Sequence, residues 1–413
     1  MSEIHNSKPL HIKAFETEKR KHLPKSCIMV IIANDQKDWR NVPHAHYMMR
    51  NFIWHPRTML DILFFPRFSS IRLKKHPLLR RIIVLDAKCI KFYDFGSPLD
   101  VLKVENKSIY PPSDNEVLVR MLARPINPSD LIPIRGSYSH RISLPNIPGY
   151  EGVGIVEDVG AFVSQNLIGK RVLPLRGEGT WQEYVKTSAE LAVSIPNSID
   201  DFTASQMYIN PITAWVVCTE VLKLRPNDVL LVNACGSSIG HIFAQLSKVL
   251  GFRLIAVTRN NNYTEKLLEL GASYVINTAE NQLQKTVMEL TNGMGTDAAI
   301  DSVGGSTGNE LAYCVHPNGN FLTIGLLSGI QVNWADIINK AKVNANMFHL
   351  RNWNKNVSTD KWQETFNNLI TLINDNQLRL LKMDSHYDLL KVKEAVSVVE
   401  SSKKGKGKVF LTS

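Results

Sequence analysis

From Pro226 onward, short apolar runs alternate with segments of helical periodicity, and this alternation restricts the fold more than any other feature. Helical spacing of apolar residues over 239–250 precedes Gly251, which is expected to end that helix. Strands that are apolar without interruption are buried on both faces, as in a parallel doubly wound sheet with helices on either side. The sequence therefore predicts an α/β nucleotide-binding architecture, with strands at 229–232 (VLLV), 254–257 (LIAV), 274–277 (YVIN), 297–303 (DAAIDSV) and 321–325 (FLTIG).

The residues on either side of this unit have a different pattern. Alternating apolar and polar residues at 116–121, 152–159 and 181–186, separated by turn-rich stretches, predict an antiparallel and partly closed barrel. After Asn346 come an amphipathic helix and a last strand, KVFL, which we expect to return to the barrel. The predicted organisation is an extension (1–87), a barrel domain (88–205), an inserted cofactor domain (206–345) and a C-terminal return (346–413).

The first 87 residues are the basic part of the chain. They hold 16 Lys and Arg against 7 Asp and Glu, whereas the whole 413-residue chain has a net charge of +10. A basic segment can bind nucleic acid or an anionic membrane surface, but no motif accompanies this charge. Seven of the 12 histidines also lie here. We interpret His44, His46 and His55 as incidental rather than as metal ligands, and the extension as dispensable and of unknown fold.

Cysteine usage and hydropathy indicate the compartment. The five cysteines are scattered, with no CxxC pair, which suits a reducing environment better than a disulfide framework. The apolar run CIMVIIA (27–33) is far shorter than the ~18 residues that span a bilayer. These features predict a soluble cytoplasmic protein without membrane partners.

A turn rich in small residues follows the first strand of the inserted unit. It reads NACGSSIG (233–240), and a dinucleotide site needs such residues so that backbone N–H groups and a helix N-terminus can approach a pyrophosphate. Glycine and serine also form ordinary strand-to-helix turns, so the position after a first βαβ strand is what favours the functional interpretation. The cofactor-binding candidates in this turn are Gly236, Ser237, Ser238, Ile239 and Gly240.

The next strand ends in Thr258-Arg259-Asn260, and no carboxylate occurs until Glu265. An NAD-dependent enzyme places an acidic residue here, on the ribose 2′-hydroxyl. An arginine can instead pair with a 2′-phosphate, which indicates NADPH as the cofactor. The alternative is a solvated arginine in a loop. Thr258 and Arg259 are therefore further candidate cofactor contacts.

With these motifs, residues 88–413 resemble the medium-chain dehydrogenase/reductase superfamily. The matching segments are PINPSD (125–130), PGYEGVGIVEDVG (148–160), GKRV (169–172), the turn at 233–240, DSVGG (301–305) and IGLLSG (324–329). The resemblance implies a GroES-like barrel domain and a Rossmann NADP-binding domain. Zinc-containing members carry Cys and His where this chain has Asn127 and Tyr150, so we expect no metal site.

Within the superfamily, two zinc-independent groups are similar to this chain. Gly136-Ser137-Tyr138, Gly179-Thr180-Trp181, Asn210-Pro211 and the aromatic run 348–353 resemble 2-enoyl thioester reductases of mitochondrial type. Quinone oxidoreductases are the second group. Enoyl reductases usually read GNEG where this chain has GYEG, which is a departure at Tyr150.

The resemblance implies roles for individual residues. Tyr138 corresponds to the tyrosine that supplies a hydroxyl donor in enoyl reductases, and the alternative is an ordinary half-buried aromatic residue. Asn127 is the second catalytic candidate, although it could simply cap a turn. The implied cofactor contacts also include Asn210, Thr213, Gly325 and Leu326. The candidate pocket residues Trp181, Phe348 and Trp353 could equally belong to the core.

The sequence thus predicts an NADPH-dependent, zinc-independent reductase of an activated C=C bond, with a 2-enoyl thioester as the leading substrate. An NADPH quinone oxidoreductase is the alternative. A different class of function is an NADPH-binding protein that uses its basic arm on nucleic acid, which the nearly neutral body does not favour. A homodimer is the commonest assembly for such a chain.

Overall fold

The computed structural model describes residues 85–401 and 407–413 and, outside them, the backbone of two short strands, β1 (Met29–Val30) and β2 (Ile62–Leu63). The chain divides into two compact units, Met1–Asp86 and Ala87–Ser413. In the first unit, β1 and β2 pair antiparallel. The predictions for His44, His46, His55 and the rest of the extension lie outside the described residues.

The second unit is a mixed α/β structure. Its strands are β3 (Leu85–Lys91), β4 (Lys103–Ile109), β5 (Glu116–Pro125), β6 (Val153–Val159), β7 (Arg171–Leu173), β8 (Tyr184–Ser188), β9 (Val193–Ser194), β10 (Val229–Val232), β11 (Arg253–Thr258), β12 (Tyr274–Asn277), β13 (Thr296–Asp301), β14 (Val315–Thr323), β15 (Asn344–Met347), β16 (Met383–Asp388) and β17 (Lys408–Thr412). Its α-helices are α1 (Pro98–Val101), α2 (Pro128–Ile134), α3 (Asp201–Ala204), α4 (Ile209–Val216), α5 (Ser238–Leu250), α6 (Thr264–Leu270), α7 (Leu283–Leu290), α8 (Gly305–Ala312), α9 (Trp334–Asp336), α10 (Leu350–Asn356), α11 (Thr359–Asn374) and α12 (Val392–Glu400).

Strands β10 to β15 form one sheet in the order β12-β11-β10-β13-β14-β15, and every neighbouring pair is parallel. This is the strand order of a doubly wound dinucleotide-binding fold, with the topological switch beside β10. Leu230, Leu231 and Val232 in β10 are fully buried, as expected for a strand covered on both faces. The predicted Rossmann-type sheet is therefore confirmed.

Glycines end the two helices that follow β10 and β11. Helix α5 ends at Gly251, whose φ of +80° lies in the left-handed region, and α6 ends at Gly271 with φ +136°. A residue with a Cβ is strained at these angles, so glycine lets the chain reverse into the next strand. Each crossover thus returns the chain to the amino edge of the sheet, so that the parallel strands all end at the opposite, carboxyl edge.

The predicted barrel is a largely antiparallel sheet in the order β16-β17-β5-β6-β7-β9, with β8 also paired to β5. Within it, β16 and β17 are parallel, whereas β17 and β5 are antiparallel. The C-terminal strand therefore lies beside β5, which leads directly to Asn127. A separate two-stranded sheet is formed by β3 and β4.

The long amphipathic helix α11 packs into an apolar core that it shares with β10 and α4. Its residues Trp362, Phe366 and Leu369 are fully buried, and they belong to the same apolar core as Val232 and Ile212. Burial of each such side chain stabilises the folded state by roughly 1.5–3 kcal/mol. Among the helices of the described residues, none is both long enough and apolar enough to cross a membrane.

Candidate active site

The turn after β10 has a tightly constrained backbone. A Cβ on Gly240 would lie 2.4 Å from the Cα and from the carbonyl oxygen of Cys235, so only glycine fits there. A Cβ on Gly236 would lie 2.6 Å from the ring of Tyr263. The Cys235 N–H donates to the carbonyl oxygen of Val257 at 3.1 Å, which ties the turn to β11. The two glycines are therefore required by close approaches within this turn.

This turn leads into a helix N-terminus. Ser237 is the N-cap of α5, and its Oγ accepts a hydrogen bond from the Gly240 N–H at 3.4 Å. Ser238 and Ile239 are the first residues of the 13-residue helix, where backbone N–H groups have no acceptor within the helix. Such N–H groups and the positive end of the helix dipole favour an anion. The residues present therefore fit the pyrophosphate of a dinucleotide.

A buried polar pair fixes the strand ends beside this turn. The Asn233 side chain donates from Nδ2 to Oδ1 of Asp301 at 2.5 Å and accepts the Ser302 N–H on Oδ1 at 2.8 Å. The Asp301 carboxylate also accepts the N–H groups of Val303 and Gly304. Asp301 thus organises the loop after β13. Its motif, DSVGG, was recognised in the sequence, but no role was predicted for it.

Arg259 follows β11 at the same edge of the sheet. Its side chain is exposed, and no hydrogen bond or ion pair engages it within the described part of the chain. The preceding Thr258 is buried, and its Oγ1 donates to the carbonyl oxygen of Asn260 at 2.9 Å. This bond shapes the start of the loop that carries the exposed Arg259 guanidinium.

The remaining predicted cofactor contacts follow β14 or lie in α4. A Cβ on Gly325 would lie 2.9 Å from the carbonyl oxygen of Ser302, and Leu326 beside it is 40 % exposed. Asn210 is half-buried, and Thr213 is 9 % exposed. Because parallel strands present their carboxyl ends together, Gly325 and Leu326 lie at the same edge as the nucleotide turn.

Asn127 belongs to a buried polar cluster. Its Nδ2 donates to Oε1 of Glu151 at 2.7 Å, and its Oδ1 accepts a short hydrogen bond from the Lys408 ammonium. The second oxygen of Glu151 accepts the N–H groups of Tyr208 at 3.1 Å and Ile209 at 2.8 Å, at the start of α4. Asn127 is 2 % exposed, and both of its polar side-chain atoms are engaged. The structure therefore uses Asn127 to join the barrel to α4 and β17.

Asp130 lies next to this cluster. Its Oδ2 accepts the Asn127 N–H at 2.8 Å, whereas Oδ1 is buried without a hydrogen-bond partner. Burial raises the pKa of Asp130 to about 7. Burial also raises the pKa of Glu151, and the charge of Lys408 opposes that change. Asp130 and Glu151 stand inside the recognised segments PINPSD and PGYEG, but Lys408, 281 positions from Asn127, gave no local signal.

Tyr138 lies in the turn that follows α2. It is half-buried and precedes a short 3-10 turn, Ser139–Arg141. The Arg141 guanidinium lies 3.7 Å above the centre of the Tyr138 ring, in a cation–π contact. The Arg141 guanidinium therefore places a positive charge against the face of the ring that carries the hydroxyl.

The three predicted pocket aromatics do not form one wall. Trp181 is fully buried in the barrel core with Phe92, and a Cβ on Gly149 would lie 2.3 Å from its Cδ1. Phe348 is 9 % exposed and packs in the core around α11. Trp353 donates from Nε1 to Glu220 at 2.9 Å and stacks on Trp362. Trp181 and Phe348 thus occupy core positions and Trp353 packs, partly buried, against the core, so that their role as pocket residues stays a prediction.

Side chains that could bind a metal ion do not cluster in the described part of the chain. Over residues 85–401 and 407–413, no group of three or more His, Cys, Asp or Glu side chains could hold a metal ion. The described cysteines Cys89, Cys218, Cys235 and Cys314 are each buried and unpaired.

Comparisons with known proteins identify the relatives of this arrangement. The family model of the alcohol dehydrogenase GroES-like domain matches residues 113–197, and the model of a zinc-binding dehydrogenase matches residues 238–373. The mitochondrial enoyl-[acyl-carrier-protein] reductase of Xenopus tropicalis is 35 % identical over 251 residues, which cover 59 % of this chain and 71 % of the relative.

Two solved structures are also similar to this chain. A Bacillus thuringiensis protein provisionally described as an NADPH:quinone reductase is 72 % identical and has a TM-score of 0.79, over 80 % of this chain and 99 % of that one. Escherichia coli quinone oxidoreductase, in complex with NADPH, is 26 % identical and has a TM-score of 0.73, over 79 % of this chain and all of that one. Together with the two-domain fold, these likenesses show that the chain belongs to the medium-chain dehydrogenase/reductase superfamily.

Proposed function

We propose that this protein is an NADPH-dependent reductase that transfers a hydride to an activated C=C bond, with a 2-enoyl thioester as the substrate. The observation that carries the reaction type is Tyr138, a phenol in the turn after α2 with the Arg141 guanidinium over its ring. Reduction of a conjugated carbonyl compound develops negative charge on the carbonyl oxygen, and a positioned hydroxyl donor stabilises that oxygen. The mitochondrial enoyl reductases among its relatives support this substrate class.

The preference for NADPH rests on Arg259. Its exposed guanidinium, at the end of β11, can form charge-assisted hydrogen bonds with a ribose 2′-phosphate. No carboxylate stands at that position to bind the 2′-hydroxyl of NAD. When bound, NADPH supplies the hydride. The turn at Gly236–Gly240, with Thr213, Asn210, Gly325 and Leu326, would hold and orient it.

The roles of the other residues follow from their contacts. Asn127 is a positioning residue in this proposal, because Glu151 and Lys408 occupy its side chain. Together they hold the start of α4, and with it Asn210, against the barrel. Residues 88–205 and 346–413 would form the substrate domain and residues 206–345 the cofactor domain.

Quinone reduction is the second candidate. It is favoured by one observation, the 72 % identity to the Bacillus thuringiensis protein. A quinone needs no proton on carbon, so the two substrates make different demands on the phenol hydroxyl.

We also propose that the reaction needs no zinc. Asn127 and Tyr150 cannot replace a thiolate and an imidazole in a tetrahedral site. Elemental analysis of protein purified without added metal should find no stoichiometric zinc, and chelation should leave the activity unchanged. Zinc that is lost together with activity would contradict the proposal.

The experiment that tests the function is NADPH oxidation by the full chain against 2-enoyl thioesters, quinones and aldehydes, repeated with NADH. We expect the highest kcat/KM with an enoyl thioester and NADPH, and a saturated thioester as the product. Turnover of quinones with no saturated thioester formed would favour the second candidate. Activity with aldehydes alone would contradict both.

A further inference from the structure

Tyr263 is a half-buried residue whose ring packs against the nucleotide turn, and the proposed function gives it no role. A Cβ on Gly236 would lie 2.6 Å from Cδ2 and 2.8 Å from Cε2 of this ring, so the ring lies directly against the Gly236 backbone. The imidazole of His241, in the first turn of α5, meets the same ring at a centroid distance of 5.8 Å and an interplanar angle of 66°. Tyr263 therefore contacts both the turn after β10 and the helix that follows it.

His241 gives this contact a buried, uncharged surface. Its side chain is 8 % exposed, and its Nε2 is buried without a hydrogen-bond partner among the described residues. Burial lowers the pKa of His241, and the charge of Lys266 lowers it further, so the imidazole is neutral at pH 7. Two neutral rings pack edge to face without the cost of burying a charge. The contact therefore depends on the Tyr263 ring.

Helix capping does not explain a tyrosine at position 263. Tyr263 is the N-cap residue of α6, and its side chain forms no capping hydrogen bond. Ser, Thr, Asp and Asn are preferred at an N-cap, because their side-chain oxygens accept N–H groups of the first helical turn. The packing of the ring on the nucleotide turn is therefore the structural reason for a tyrosine here.

The loop that ends at Tyr263 begins with Arg259. Its start is shaped by the hydrogen bond of the Thr258 hydroxyl. In its middle, Nδ2 of Asn261 donates to both carboxylate oxygens of Glu280, at 3.0 and 3.1 Å. At its end, the Tyr263 ring ties the loop to the nucleotide turn. The separation between Arg259 and the turn is therefore set by contacts that exist before any cofactor binds.

We propose that Tyr263 is a positioning residue that determines cofactor selectivity. Its ring, packed on Gly236, holds the loop so that the Arg259 guanidinium can reach the 2′-phosphate of a dinucleotide whose pyrophosphate lies on the turn. A loop that is already ordered loses less conformational freedom on binding, which raises affinity. NADPH and NADH share the pyrophosphate and the adenine, so loss of this positioning should lower the ratio of the affinities for NADPH and NADH. This inference rests on the proposed contact of Arg259 with NADPH.

Dissociation constants of the full chain for NADPH and for NADH, from titration of cofactor fluorescence, test it. Tyr263→Asn removes the ring and supplies a preferred helix cap, and we expect it to lower the NADPH-to-NADH affinity ratio by about threefold to tenfold. Tyr263→Phe keeps the ring and should keep the wild-type ratio. Tyr274→Asn is the matched control, since Tyr274 is 45 % exposed at the amino end of β12, and it should leave the ratio unchanged.

A double variant tests whether Tyr263 acts through Arg259. In a chain that carries Arg259→Ala, the addition of Tyr263→Asn should not lower the affinity ratio further, because no guanidinium is left to position. A further fall would contradict the positioning role, since Tyr263 would then affect the 2′-phosphate by itself.

The remaining outcomes separate this inference from the proposed function. A wild-type ratio in Tyr263→Asn, or an equal loss of affinity for both cofactors, overturns the inference, because a merely structural residue affects both cofactors alike. A loss in Tyr263→Phe as large as in Tyr263→Asn assigns the effect to the hydroxyl and overturns the role of the ring. An unchanged ratio in Arg259→Ala removes the proposed NADPH contact itself, which distinguishes that failure from the failure of Tyr263.

Discussion

The nucleotide turn and the polar cluster around Asn127 are built in opposite ways. The turn consists of eight consecutive residues, 233–240, and its constraints are backbone approaches such as Gly240 against Cys235. The cluster joins residues as far apart as Asn127 and Lys408, and its constraints are the side-chain hydrogen bonds that the neutral Asn127 amide makes with two buried ionisable groups, Glu151 and Lys408. The turn therefore tolerates almost no added volume, whereas the cluster tolerates almost no lost charge.

This difference predicts how each region fails. Removal of one of two mutually compensating buried charges is costly, because the remaining charge stays buried without compensation. In the nucleotide turn, an added Cβ would displace the backbone. At Arg259, loss of the exposed side chain would lower only the affinity for the ligand. Substitutions in the cluster should therefore change the stability of the whole unit, and those at the turn or at β11 should change cofactor binding.

The largest effect is expected at Lys408. Lys408→Ala leaves Glu151 buried without its compensating charge, and we expect a loss of about 3–5 kcal/mol in the free energy of unfolding. Denaturant unfolding of the full chain measures this loss. Adding Glu151→Gln should recover part of it, because the uncompensated charge is then removed. Lys393→Ala is the matched control, since Lys393 is exposed.

An unchanged stability of Lys408→Ala, or a loss equal to that of Lys393→Ala, would mean that the cluster does not hold the barrel to α4. The contrast between the two regions would then break down.

The next largest effect concerns Tyr138. Tyr138→Phe removes the hydroxyl but keeps the ring under Arg141, so the melting temperature should hardly change. Loss of one donor to a developing oxyanion typically lowers kcat by about 10²–10³-fold. Steady-state kinetics with an enoyl thioester should show a fall in kcat that exceeds any rise in KM. An unchanged rate would return Tyr138 to an ordinary aromatic role.

Arg259 gives a smaller effect, confined to the cofactor. Arg259→Ala removes one charge-assisted contact to phosphate and should weaken NADPH binding by about one to two decades, with NADH binding unaffected. Titration of cofactor fluorescence measures both dissociation constants. Arg253→Ala, at the other end of β11, should change neither. Equal NADPH affinity in wild type and Arg259→Ala would show that Arg259 does not read the 2′-phosphate.

The last effect is the dependence of stability on pH that Asp130 confers. Burial raises its pKa to about 7, well above the usual range of a carboxyl group, so the folded chain binds this proton more tightly than the unfolded chain does. Stability should therefore fall as pH rises from about 4 to about 7. Asp130→Asn should remove this contribution and be more stable than the wild type at pH 8. Asp94→Asn, at an exposed site, is the control, and an equal pH slope in both variants would contradict the assignment.

The predictable part of the fold was the part set by local apolar pattern. The runs VLLV and YVIN coincide with β10 and β12, and the helix closed by Gly271 ends there. Strands β15 (NANM) and β16 (MDSHYD) were missed because polar edge strands are held by backbone pairing with one neighbour and carry no apolar signal.

The residues of the candidate site also differ in whether local sequence could predict them. Gly236, Gly240 and Arg259 could be predicted from the sequence as candidate cofactor contacts, because they lie in a turn of small residues and at the end of a strand. The partners of Asn127 could not, since only the folded barrel brings Glu151 and Lys408 to it. Trp181 shows the remaining ambiguity: the same aromatic residue suits a pocket or a core until its neighbours are known.

One measurement tests the proposed reaction most directly. The full chain is incubated with NADPH deuterated at the transferable C4 position and a 2-enoyl thioester in H₂O, and the product is analysed by mass spectrometry and NMR. The account predicts a saturated thioester with one deuterium on its β-carbon. A thioester recovered with its double bond intact, or a saturated product without deuterium at that carbon, would contradict it.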